Sequence, residues 1–141
     1  LPDPLTPGDL QQLFSPSFDE RKWAPSVARI PVSQVALLVH LKIFQTIGRF
    51  LPAAKVPLTA IEHVARRMGV ETGTNLVFSG KTLYRHRPVI LKRLNVVSWG
   101  PDARTLAETT MRRTAHARTD PADIINSAID ALIRHGFELP G

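Results

Sequence analysis

One stretch restricts the fold more than any other. Between Val32 and Phe50 the chain carries Val35, Ala36, Leu37, Leu38, Val39, Leu41, Ile43, Phe44 and Ile47, with too few polar residues to make a wet face. A helix that is apolar on most sides must be buried on most sides. The stretch predicts a central core helix over about 32–50, with Ser33 as N-cap, Gly48 near its end and Pro52 stopping it. His40 lies inside the apolar run and is expected as a hydrogen-bonded core residue. A chain of 141 residues around such a helix makes one domain, or two very small helical subdomains. No stretch alternates as a strand would and no repeat is visible. The expected fold class is all-α, a compact multi-helix domain with a variant helix-turn-helix.

The remaining helices follow from their punctuation. Thr6-Pro7 reads as N-cap and first helical position of a short helix to Phe14. Ser15–Arg29 mixes prolines with charges and predicts no more than a helical turn. Pro57-Leu58-Thr59 opens the next helix, where Thr59 and Glu62 have the spacing of a capping box. Ile61, Val64, Ala65 and Met68 make its inner face, Arg66 and Arg67 point outward, and Gly69 is its left-handed cap. Glu71–Phe78 reads as a loop or a weak turn of helix. Pro101-Asp102 opens a helix to about Ala117, with Ala103, Leu106, Ala107, Thr110, Met111 and Ala115 inside. Arg112, Arg113 and Arg118 gather at its C-terminal end, where cations complement the macrodipole. Asp120-Pro121 caps a last helix with Ile124, Ile125, Ala128, Ile129, Leu132 and Ile133 on one face, ended by Gly136. These two form a C-terminal helical pair over about 101–135, and the residues after it read as an exit to a following domain.

Charge is the second constraint. Eighteen Lys and Arg oppose twelve Asp and Glu, a formal net charge of +6, which points to a polyanionic partner. From Thr72 through Pro101 there is no carboxylate. Within that span Ser79–Leu94 carries Lys81, Arg85, Arg87, Lys92 and Arg93. Drawn as a helix at about 100° per residue, it sets Leu83, Ile90 and Leu94 against Lys81, Arg85 and Lys92, with His86 and Arg93 on a flank. Pro88 either kinks this helix or sits in the first turn of one that begins near His86-Arg87, leaving Lys81–Arg85 in a loop at its N-terminus. A helix ending at Gly69, a connection and a basic helix outline a helix-turn-helix region over about 58–95, although the connection exceeds the usual turn of about three to four residues. The bland alternative is a solvated basic face.

Several chemistries are excluded. There is no cysteine, hence no disulfide, thiolate metal site or cysteine nucleophile. The five histidines, His40, His63, His86, His116 and His135, have no zinc spacing. Gly80-Lys81-Thr82 resembles the tail of a P-loop, but the position of its first glycine holds Asn75. No catalytic residue, metal or cofactor is expected. The longest apolar run is too short for a membrane span, and a chain beginning at Leu1 without a signal-peptide pattern reads as a piece of a longer cytoplasmic protein.

Four ordered anchors carry a resemblance: Ile47-Gly48-Arg49-Phe50-Leu51-Pro52; Pro57 leading into Ile61-Glu62-His63-Val64-Ala65-Arg66-Arg67-Met68-Gly69; Thr82-Leu83-Tyr84-Arg85-His86-Arg87 with Ile90 and Leu94; and Asp120-Pro121 with an apolar helix closing on Phe137-Glu138-Leu139-Pro140. From about Leu5 onward the chain resembles the amino-terminal domain of the large replicative transposases of the Tn-three family. The resemblance implies a helix-turn-helix domain that binds the transposon's terminal inverted repeats as double-stranded DNA. It places the nuclease carboxylates in a downstream domain and makes the downstream domains partners, with self-association of the full-length protein. Arg85 and Arg87 are then the candidates for guanine contacts, Thr82, Tyr84 and His86 for positioning on the backbone, and Lys81, Lys92 and Arg93 for phosphates. The competing functions are a DNA-binding domain of another recombinase or a transcriptional regulator, and a helical interaction domain.

Overall fold

A computed structural model describes residues 1–71 and 79–141. Among the described residues it is all-helical: α1 (Pro7–Phe14), α2 (Phe18–Val27), α3 (Pro31–Ile47), a 3-10 turn (Ala53–Lys55), α4 (Leu58–Arg67), α5 (Gly80–Leu94), α6 (Pro101–Ala117) and α7 (Pro121–Arg134). The extended pairing among them is a single bridge, Val97 with Phe137. No helix of the described residues is long and apolar enough to cross a membrane. The chain divides into two compact units, Leu1–Ile90 and Leu91–Gly141.

In the first unit local hydrogen bonds set the helix starts. The Thr6 hydroxyl accepts from the Asp9 N–H at 3.1 Å and the Asp9 carboxylate accepts from the Thr6 N–H at 3.0 Å, a reciprocal capping box. Ser17 and Glu20 repeat the device at 3.1 and 2.8 Å. It nucleates a full helix, α2, where the sequence predicts only a turn. α3 starts at Pro31 with Ile30 at the N-cap, so Ser33 lies inside the first turn rather than capping it. Likewise Pro57 is the N-cap of α4 and no side chain caps it, so the expected Thr59–Glu62 box does not form: the helix begins two residues too early for Thr59 to stand outside it. At its other end Gly69 takes φ +71°, while the Val70 N–H reaches the Ala65 carbonyl at 2.8 Å and the Gly69 N–H reaches Arg66 at 3.1 Å. These are the two bonds of a Schellman stop.

α3 is the centre of this unit. Val35 through Leu41 is buried without a break, as are Ile43 and Phe44, and α1, α2 and α4 pack around it. One charge is drawn in with it. The Lys42 ammonium lies 2.6 Å from the Glu20 carboxylate, with both side chains largely out of water. Gln45 donates to the other Glu20 oxygen at 3.0 Å. Burial pushes the Glu20 pKa up, but the hydrogen bonds from Lys42, the Ser17 N–H and Gln45 outweigh it and hold the group below its ordinary range.

The second unit is built on α6 and α7. Ala103, Ala107, Ala128 and Leu132 form its core, with Trp99, Leu106, Met111, Phe137 and Leu139 packed against them. Asp120 caps α7 by accepting from the Ala122 N–H at 3.0 Å. Two expectations shift by a fraction of a turn. Ala115 is exposed and Thr114 takes its inner place, while Ile125 and Ile133 are 53% and 58% exposed. The closing segment packs on the unit's own core through Phe137 and Leu139. Val97 donates to Gly136 and accepts from Glu138, both at 2.8 Å. The Glu138 carboxylate, 3% exposed, accepts from the Trp99 N–H at 3.0 Å.

Removing one partner of a buried ion pair strands the other charge. Lys42→Met is expected to cost about 3 kcal/mol of stability in a denaturant titration. Adding Glu20→Gln to that variant should recover part of the loss.

Candidate nucleic-acid interface

α5 begins where its cap allows. The Ser79 hydroxyl accepts from the Thr82 N–H at 3.2 Å and pairs with the Thr82 hydroxyl at 3.1 Å. The helix then runs unbroken from Gly80 to Leu94 with Pro88 inside it. This corrects the late start near His86-Arg87, so Lys81–Arg85 are helical and not loop. Pro88 is tolerated because it lies on the exposed side: Tyr84, whose carbonyl loses its intrahelical partner there, is 80% exposed, and water can take the bond. The helix stops on Asn95 at φ +54°, with the Val96 N–H bonded to the Leu91 carbonyl at 2.9 Å.

Burial along α5 sorts the predicted contact residues. Lys81, Tyr84 and Arg85 are exposed, and with Ser79 and Gly80 they line a shallow depression in the first unit. Ser79 and Gly80 were not among the sequence candidates, although a cap followed by glycine at the start of a basic helix is a legible signal. Thr82 is half-buried and its hydroxyl is engaged with Ser79. Arg87 is half-buried, its guanidinium carbon 5.6 Å from the centroid of the Phe50 ring, a cation–π arrangement. Lys92 and Arg93 are exposed and fall within the second unit. The connection from Met68 to Ser79 exceeds a standard helix-turn-helix turn. Most of the loop or weak turn predicted over Glu71–Phe78 lies outside the described residues.

His86 requires a correction. The sequence places it on a flank, available to a phosphate; the structure turns it inward at 5% exposure. Its ring meets His40 of α3 edge-on, centroids 6.0 Å apart and planes at 60°. Beside it Ile90 is fully buried, so a His86–Ile90 seam anchors the helix in the first unit. Desolvation brings both histidines down to about 4, helped by the charge of His86 for His40 and of Arg85 for His86. Both are neutral at physiological pH, and the positive charge of the helix comes from its lysines and arginines alone.

α4 is tied to α1 by polar contacts that leave its outer side free. His63 Nε2 lies 3.0 Å from the Ser15 hydroxyl and Arg67 donates to Gln11. Arg66 and Arg67 are exposed, as expected. Among the described residues no group of three His, Asp or Glu is arranged to hold a metal ion.

The chain belongs to a family described as a domain of unknown function, DUF4158, whose model matches residues 1–141. No curated protein and no solved structure matches it.

The buried histidines set a pH dependence. Their folded pKa values lie below the unfolded value of about 6.5, so the unfolded chain binds more protons in between. Stability is therefore full above about 6.5 and falls as the pH drops toward 4. Thermal melts of the chain should show Tm falling between pH 7 and 5, where most carboxylates are still ionised. His86→Leu should flatten that part of the profile, and an unchanged slope would argue against the pair.

Proposed function

We propose that this chain binds duplex DNA sequence-specifically through the exposed face of α5. The reading rests on one observation: Lys81, Tyr84 and Arg85 stand exposed on a helix whose opposite seam, His86 and Ile90, is buried in the first unit. A helix that projects guanidinium and ammonium groups from one side suits the major groove, where arginine reads guanine O6 and N7. The absence of acid from Thr72 to Pro101 removes repulsion from phosphates. Arg85 is the base reader in this proposal, Lys81 a phosphate contact, and Tyr84 an aromatic and hydroxyl contact beside them. Arg87, leaning on Phe50, serves as a supporting charge. His86 has no direct role. Lys92 and Arg93 contribute phosphate contacts from the second unit.

The resemblance to Tn-three family transposases supplies the biological setting. The DNA would be the terminal inverted repeats of a transposon, the chain the amino-terminal region of the transposase, and the catalytic carboxylates would lie in another part of that protein. In this reading the chain is a binding module of a cytoplasmic protein, and no catalytic residue is assigned to it.

Affinity for an inverted-repeat duplex and for a scrambled duplex separates the roles. Arg85→Ala should cost about 1–3 kcal/mol on the cognate duplex and little on the scrambled one. Lys81→Ala should weaken both alike. Equal losses for Arg85→Ala on the two duplexes would demote it to a phosphate contact. DNA binding by the unaltered chain should fall steeply with salt, and no detectable binding at low salt would leave the helical interaction domain as the better account.

A further inference from the structure

The second unit carries a basic surface of its own. Along α6 the contact with α7 is made by Ala103, Leu106, Ala107 and Met111, with Thr110 and Thr114 half-buried on the same side. The hydroxyls of Thr110 and Thr114 are spent on the carbonyls of Leu106 and Thr110, both at 2.8 Å. This fixes the other side of the helix outward, and there Arg112, Arg113 and His116 are all exposed. No carboxylate occurs between Glu108 and Asp120.

Helix termination does not account for the two arginines. The macrodipole acts on the last turn, and α6 ends at Ala117, so of the three only His116 lies in that turn. Ion pairing does not account for them either. Arg118 takes up Asp123 at 3.6 Å, whereas Arg112 and Arg113 form no ion pair with a described residue, Glu108 one turn before Arg112 included. The choice of cation is also particular. After Lys92 every further cationic side chain besides histidine is arginine, whose planar fork of donors matches phosphate oxygens and sheds water more readily than an ammonium.

We propose that the outer C-terminal half of α6, through Arg112, Arg113 and His116, is a second contact for the phosphate backbone of duplex DNA, one that supplies affinity without reading sequence. The inference rests on the DNA-binding reading of α5 and extends it to the other unit. Phosphate contacts of this kind release counterions and read no base edge.

The test uses the full chain, a fluorescent mixed-sequence duplex and a salt titration. R112Q/R113Q keeps helix-forming side chains and removes both charges. It should weaken binding to mixed-sequence and inverted-repeat duplexes by the same factor and lower the slope of log affinity against log salt by about 2. A charge-matched control, R104Q/R134Q, should leave the slope nearly unchanged. An unchanged slope for R112Q/R113Q, or the same slope change in the control, overturns the proposal. If R112Q/R113Q weakens binding while Arg85→Ala does not, the α5 reading fails and this contact stands. If only Arg85→Ala weakens it, this contact fails and the α5 reading stands.

Discussion

Everything in the first unit depends on hiding α3 from water. A helix buried from Val35 to Leu41 without a break cannot exist alone in solution. It has to be wrapped, and α1, α2 and α4 wrap it. Their amphipathic faces are matched to that task, and so are their starts. Two reciprocal capping boxes and a proline N-cap set where each surrounding helix begins, and so which side chains turn inward. The same burial reaches the candidate interface, because His40 of α3 is the surface on which His86 of α5 rests.

That contact shows how a helix with several cations turns one side inward. The seam that α5 turns into the first unit mixes Ile90 with an imidazole. A neutral histidine ring is flat and polarisable and packs edge-on against another ring. It can sit in a core provided that it stays unprotonated. Burial that keeps His86 neutral also frees the outer side of the helix to carry its cations without a buried one behind them.

Much of this was legible in the sequence. The burial of α3 follows from composition alone. The caps Thr6-Pro7 and Asp120 and the stops at Gly48, Gly69 and Gly136 mark helix ends, because each residue has a local backbone reason to be there. What escaped was decided by tertiary partners. α2 looked too polar and too proline-rich to be a helix, yet Ser17 and Glu20 cap it and Lys42, far off in sequence, neutralises it. His86 looked like a surface residue because a histidine's place depends on what faces it, and His40 was the unseen neighbour. The course of α5 past Pro88 turned on whether water could reach the orphaned Tyr84 carbonyl. The inner faces of α6 and α7 were off by a fraction of a turn at Ala115, Ile125 and Ile133, where several aliphatic residues compete for the same contact.

The first turns of α5 carry a consequence of their own. Lys81 and Arg85 stand one turn apart with the same sign, and no acid accompanies them in the opening turn. Like charges at this spacing oppose the helix by a few tenths of a kcal/mol, about 0.2–0.5, and a cation near the positive end of the dipole opposes it further. The segment is thus electrostatically frustrated in its free state, held helical by its seam against its own surface. Mobile anions relieve such a strain only in part. A rigid row of phosphates would relieve it more fully, so the conformation that costs the free protein most would be the one a polyanion stabilises.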